Sequence, residues 1–265
     1  MAHVNRLQNA RVLVFGGTSG IGFSVANLCI SQGAHVIISG SKQAKVDDKV
    51  AELKSFYPSL PSGQEVVGYA ADLADTPNLE ANIKSLLDKS TENGQKKLDH
   101  IVFCAGDLFE LPTLQSAKPE TALKGFNVRW LGGVMIAKLI ATGSYMPAST
   151  SSSITFTSGT NTDKPTAGFF TGSSIGSAVE SLTRSLAVDL KPIRVNIVSP
   201  GAIQTPLLDA VVKNVGEEVK EMWKKETLLG ELGRPEDIAE AYAWFMKDRF
   251  VTGVIAKSEG GRILV

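Results

Sequence analysis

Gly16, Gly20 and Gly22 stand in a Gly-x-x-x-Gly-x-Gly spacing within Gly16-Gly17-Thr18-Ser19-Gly20-Ile21-Gly22. The stretch follows an apolar run, Val12-Leu13-Val14-Phe15, and opens a segment from Gly20 to Gln32 with apolar residues at helical spacing. Glycines at such a turn let the backbone approach a pyrophosphate, and a helix N-terminus offers free N–H groups and a positive dipole end. The chemistry this predicts is dinucleotide binding. After the second apolar run, His35-Val36-Ile37-Ile38-Ser39, the chain reads Ser39-Gly40-Ser41-Lys42, with no acid until Asp47. An acid there would hold the ribose hydroxyls and repel a 2′-phosphate. Hydroxyls and a lysine suit a phosphate dianion instead, so Ser39, Ser41 and Lys42 point to NADPH/NADP+. The alternative for Lys42 is an incidental lysine in a solvated turn.

The elements that must position these residues follow from hydrophobic periodicity. Further strand-like runs are Glu65 to Ala70, His100 to Phe103, Ser153 to Thr157, Arg194 to Val198 and Val254 to Ser258. Helical patterns cover Asp47 to Phe56, Asn78 to Ser90, a long Pro119 to Thr142, and Ser173 to Leu190. Continuous apolar strands alternating with helices predict a parallel sheet covered on both faces. The expected fold class is α/β: a single doubly wound, Rossmann-type domain over residues 1–265, with about seven strands. The stretch 204–232 has the loosest pattern and is expected to cover the substrate cleft.

Composition narrows the function classes. Lys plus Arg and Asp plus Glu are 27 each, which argues against nucleic acid or a membrane surface held by bulk charge. Two cysteines, Cys29 and Cys104, with three histidines, argue against a structural zinc, and no metal site is expected. Both cysteines read as buried thiols of a reducing compartment. Met1 to Asn9 is polar and the first apolar run is too short for a signal or a span, so the expected location is cytoplasmic.

The stretch Gly172-Ser173-Ser174-Ile175-Gly176-Ser177-Ala178-Val179-Glu180 resembles the active-site helix of the short-chain dehydrogenase/reductase family. The likeness runs from about Arg11 to Gly261 in this sequence. Asp72-Leu73 matches the adenine-contacting aspartate and its neighbour. Phe103-Cys104-Ala105-Gly106 sits at the family's Asn-Asn-Ala-Gly motif. Pro200-Gly201-Ala202-Ile203-Gln204-Thr205 follows the nicotinamide loop, where the resemblance implies contacts from Pro200, Ile203 and Thr205. Gly233-Arg234-Pro235-Glu236-Asp237 also falls at its family place. The resemblance implies cofactor contacts from Asp72, Leu73, Ala105 and Gly106 as well.

The family's catalytic residues are Asn, Ser, Tyr and Lys, the last two spaced Tyr-x-x-x-Lys. Here Ser158 matches the serine, Arg129 falls at the asparagine, Gly172 at the tyrosine and Gly176 at the lysine. Reduction of a neutral carbonyl makes an alkoxide that needs a positioned acid. Without the tyrosine, either the substrate is an iminium or other cation, whose reduction yields a neutral product, or another residue acts in its place. Arg129, Ser158 and Asp163 are the candidate catalytic residues. A structural ion pair is the alternative for Arg129, and a solvated loop acid for Asp163. The pattern is similar to atypical fungal secondary-metabolite reductases, among them NADPH-dependent reductase/Diels–Alderases of indole alkaloid biosynthesis. The resemblance implies reduction of an iminium or conjugated small molecule, then templating of an intramolecular [4+2] cycloaddition, by a homotetramer or homodimer. The alternative is a catalytically inactive nucleotide-binding subunit or sensor.

Overall fold

The structure, a computed structural model, describes residues 2–106, 112 and 114–265. Its strands are β1 (Arg11–Phe15), β2 (His35–Gly40), β3 (Val66–Ala70), β4 (His100–Phe103), β5 (Ser153–Thr157), β6 (Arg194–Pro200) and β7 (Ile255–Ser258). They form a seven-stranded sheet in the order β3-β2-β1-β4-β5-β6-β7, with every pairing parallel.

Side chains alternate across the sheet, as the period of two requires. Leu13 and Phe15 of β1 join one buried cluster with Ile37, Ile101, Phe103, Ile154 and Phe156. Val12 and Val14 join the other with Val36, Ile38, Val102 and Val198. Central strands are therefore apolar on both faces, while the edge strands β3 and β7 are only partly buried. The first cluster packs under α3 (Leu79–Thr91), α5 (Gly132–Thr142) and α6 (Phe170–Asp189). The second packs under α1 (Gly20–Ser31), α2 (Gln43–Ser55) and α9 (Pro235–Lys247). Each fully buried Leu, Ile or Phe contributes about 1.5–3 kcal/mol by leaving water.

Two helices begin earlier than their periodicity suggests. α2 starts at Gln43 rather than Asp47, and α6 at Phe170 rather than Ser173. The long helix expected over Pro119 to Thr142 is broken instead. It consists of α4 (Pro119–Lys124), a π-helical turn at Asn127–Leu131, and α5. Gly125, Gly132 and Gly133 interrupt the run, each costing about 1 kcal/mol in a helix relative to alanine. The wider π turn re-aims its side chains, and Arg129 lies in it. The stretch expected to be loosest holds two helices, α7 (Pro206–Val215) and α8 (Glu218–Lys225).

The strand order reverses between β1 and β4, with β2 on one side and β5 on the other. The connections after β1 and β4 diverge there and leave a crevice at the strands' C-terminal ends.

Candidate active site

That crevice is a cavity of about 610 Å³. Its middle is the glycine turn after β1. Gly16 has φ +75, and a β-carbon on it would meet the Ala105 nitrogen at 2.7 Å. A β-carbon on Gly22 would meet the Gly16 carbonyl oxygen at 2.4 Å. Only glycine lets the turn, the loop after β4 and the first turn of α1 close on one another. Ser19, at the N-cap of α1, makes no side-chain capping bond. The first-turn N–H groups, which no helical carbonyl reaches, thus keep their donor capacity for an anion at the cavity wall. This cradle fits a dinucleotide pyrophosphate.

Thr18, Ser19, Gly20 and Ile21 line this part, with Ala105 and Gly106 beside them. Toward β2 the wall is Ser39, Ser41, Asp72, Leu73 and Lys45. Lys42 does not line the cavity: it is the exposed N-cap of α2. Because α2 starts at Gln43, Lys45 falls in its first turn on the cavity side. The lysine in the cavity wall is Lys45, which the sequence reading did not single out because it placed the helix start too late.

The opposite end carries the chemistry. Ser158 is buried directly after β5, and its N–H donates to the Val198 carbonyl at 2.9 Å. Its hydroxyl donates to Glu180 Oε1 at 2.8 Å, and the Thr162 hydroxyl donates to the same oxygen at 2.9 Å. Glu180 is 9% exposed on α6. It lies on the helix face of Gly172 and Gly176, at i+4 from the latter, a spacing legible in the sequence. A β-carbon on Gly176 would stand 2.7 Å from Thr162 Cγ2. Thr162 thus fills the space from which a longer side chain at 176 would start.

Arg129 lines the cavity, its guanidinium flat against the loop after β4. A β-carbon on Gly106 would meet Nη2 at 2.6 Å and Nε at 2.8 Å. Beneath it, Thr157 Oγ1 donates to the Phe103 carbonyl at 2.8 Å and lies 2.6 Å from the Tyr242 hydroxyl. Burial pushes the Cys104 thiol up, against smaller lowering effects that include the Arg129 charge. Cys104 is thus a neutral wall residue. Pro200, Ile203 and Thr205 complete this end with Phe169.

Asp163 is not in the cavity wall. The short turn Thr160–Thr162 points Thr162 inward to Glu180, and Asp163 Oδ1 reaches out to Lys257 Nζ on β7 at 2.8 Å. The carboxylate nearest Ser158 is Glu180, one hydroxyl behind the cavity wall.

Leu207, Leu208 and Val211 of α7 and Trp223 of α8 form an apolar wall. Arg262, buried near the C-terminus, ties this cover down. It donates to Glu226 after α8 at 2.8 Å and, within the loop after β5, to Thr166 at 2.8 Å and Asn161 at 3.2 Å. No local pattern marks Arg262, since its partners lie 36 to 102 residues away. Among the described residues, no His/Cys/Asp/Glu group could hold a metal, and no helix is long and apolar enough to cross a membrane.

A model of an SDR-like Rossmann domain matches residues 3–265. The chain belongs to the short-chain dehydrogenase/reductase family. Among its relatives, the short-chain dehydrogenase/reductase malC of Malbranchea aurantiaca is 38% identical over 258 residues, 97% of this chain and 96% of that protein. The solved structure of the MalC reductase/Diels-Alderase superposes with a TM-score of 0.91, covering 98% of this chain and 99% of that one. The short-chain dehydrogenase/reductase ucsE of an Acremonium species is 36% identical over 260 residues, 98% of this chain and 97% of that protein. A short-chain dehydrogenase of Burkholderia cenocepacia J2315, solved in complex with NADP, is 25% identical with a TM-score of 0.80, over 97% of this chain and 99% of that one. This short-chain dehydrogenase/reductase is thus similar over 97–98% of its length to proteins that include a reductase/Diels-Alderase.

Proposed function

We propose that the protein is an NADPH-dependent reductase of an iminium ion or conjugated small molecule in secondary-metabolite (alkaloid) biosynthesis. On this reading the same cavity also templates an intramolecular [4+2] cycloaddition. The observation that carries it is the make-up of the cavity wall. Among the described residues that line it there is no tyrosine, and its lysine, Lys45, stands at the phosphate end.

When bound, NADPH supplies a hydride. The glycine turn and the α1 N-terminus would hold the pyrophosphate, and Ser41 with Lys45 would receive the 2′-phosphate as a charge-assisted pair. Asp72 and Leu73 bound the adenine end, and Pro200, Ile203 and Thr205 the other. Reduction of a C=N⁺ group would add hydrogen at carbon and return the π pair to nitrogen, giving a neutral amine. No proton is required. A neutral carbonyl would need a general acid, whose absence costs about 10²–10⁴-fold. Arg129 is always charged and acts as an oriented cation and donor fork rather than an acid. The apolar wall of α7 and α8 excludes water and presses an extended product into a folded shape, which is how a cavity promotes a cycloaddition. The protein is expected to work in the cytoplasm as a homotetramer or homodimer.

Titration with NADPH and, separately, NADH tests the reading, following energy transfer from tryptophan, with Trp223 in the wall as reporter. NADPH binding at least about tenfold tighter than NADH is expected from a charge-assisted phosphate contact. Turnover of a cyclic iminium but not of its ketone isostere is expected next. Absence of binding by either cofactor would overturn the reductase and leave a scaffold or a cofactor-free cyclase.

A further inference from the structure

Each hydroxyl has one proton to give. Ser158 donates its O–H hydrogen bond to Glu180 at 2.8 Å, and Thr162 donates to the same carboxylate oxygen at 2.9 Å. Ser158 therefore presents only lone pairs to the cavity it lines. Behind it stands a carboxylate on a residue nine-tenths buried, with little solvent to screen it. The arrangement is held from both sides. Thr162 packs so closely on Gly176 that a β-carbon there would stand 2.7 Å from its Cγ2, and Ser158 is fixed by its N–H bond to Val198 on β6.

From these contacts, and resting on the reductase reading above, we infer that Glu180 is a positioning residue that offsets the Arg129 charge at the chemical end of the cavity and favours a cation beside Ser158. By accepting the Ser158 O–H hydrogen bond it leaves that hydroxyl's lone pairs facing the cavity, and its charge reaches the cavity through one hydroxyl. A ligand bearing a positive charge or an N–H donor is favoured there, and a neutral carbonyl seeking a donor is not.

The cofactor itself provides a matched probe, because the nicotinamide of NADP+ is a cation and that of NADPH is neutral at nearly the same shape. The phosphate cradle sits between the Ser41–Lys45 end and the Ser158 end. A cofactor anchored by its 2′-phosphate at the former extends its nicotinamide toward the latter. A β-carbon on Gly159 would lie 3.8 Å from the Pro200 carbonyl, so Ser158 and the Pro200 loop form one wall.

The test is the ratio of the Kd for NADP+ to that for NADPH, measured by calorimetry in the unaltered protein, in Glu180→Gln and in Ser158→Ala. Glutamine keeps the size, removes the charge and offers an N–H to Ser158, freeing the hydroxyl proton to face the cavity. The ratio should rise about tenfold in Glu180→Gln, the effect of a unit charge acting across roughly 8 Å at an effective dielectric of about 30. It should rise less in Ser158→Ala, which keeps the charge and loses the acceptor. A merely structural role for Glu180 would weaken both cofactors by one factor and leave the ratio alone. If Glu180→Gln does not fold, the Ser158→Ala ratio decides. An unchanged ratio in a protein that binds both cofactors overturns the assignment of Glu180 alone. Failure of the unaltered protein to bind either overturns the reductase reading and this inference with it.

Discussion

At Gly22 a β-carbon would stand 2.4 Å from the Gly16 carbonyl oxygen, so Gly22→Ala must push the turn away from the helix that follows it. NADPH affinity is expected to fall at least about tenfold, the scale of 1.4 kcal/mol, with the fold retained, as titration and far-UV circular dichroism would show. The two lysines near β2 separate in the same way. Lys45→Ala should weaken NADPH by about tenfold and leave NADH nearly unchanged, because one charge-assisted contact is lost. Lys42→Ala should move neither. The reverse outcome would mean that the phosphate sits at the N-cap. Gly106→Ala would drive a methyl group into the Arg129 guanidinium and is expected to impair turnover while sparing the phosphate end. Gly16, Gly20 and Gly22 were legible in the sequence because their spacing is local. Lys45 was missed because its place in the cavity wall depends on the turn at which α2 begins.

At the scale of elements, the middle of the sheet carries buried polar groups that set its acid stability. His100 on β4 is bonded to Ser153 on β5 at 2.9 Å, with Arg194 of β6 beyond. Burial, and then the charges of Arg194 and Arg249, push the imidazole down from 6.5 to about 3. Above pH 6.5 the ring is neutral in both folded and unfolded chains, so the folded state suffers no loss. As pH falls below 6.5 the unfolded chain takes up a proton that the buried ring refuses. Stability then declines until about pH 3, where the folded ring also titrates. By about pH 5 the loss is on the order of 2 kcal/mol. Urea midpoints near pH 7 and pH 5 should show it, and His100→Asn should remove most of the difference. A variant with the same pH slope would place the acid sensitivity elsewhere. Arg194 gives its guanidinium protons to the carbonyls of Thr150, Phe245, Met246 and Val251, joining β6 to the end of α9. Arg194→Met would orphan these carbonyls and should cost about 3 kcal/mol or more, read from the same urea curves.

At the scale of the whole molecule, the cover over the cavity is coupled to the C-terminal segment through Arg262. Its ion pair with Glu226 is buried on the arginine side, at 6% exposure, and its remaining donors hold the loop that carries Thr160, Asn161 and Thr166. Arg262→Met should therefore loosen α8 and that loop together. Limited proteolysis is expected to cut within 204–232 several-fold faster, with NADPH still bound at the phosphate end and turnover lowered. Unchanged cleavage would mean that the apolar contacts of α7 and Trp223 hold the cover unaided.

The sequence by itself determined the parallel sheet, its strands and the phosphate turn, because each rests on short-range pattern: alternating burial, a strand running into a helix, glycines at fixed offsets. The family resemblance put Gly172 and Gly176 where a tyrosine and a lysine are expected. Only the tertiary structure decided what occupies the space those glycines leave. Thr162 packs on Gly176, Glu180 accepts the Ser158 hydrogen bond, Asp163 turns out to Lys257, and Arg262 returns from the C-terminus to line the wall. These contacts join residues far apart in the chain, and which of two neighbouring side chains, such as Thr162 or Asp163, faces the cavity depends on one turn of backbone. No local spacing encodes that choice; close packing against α6 does.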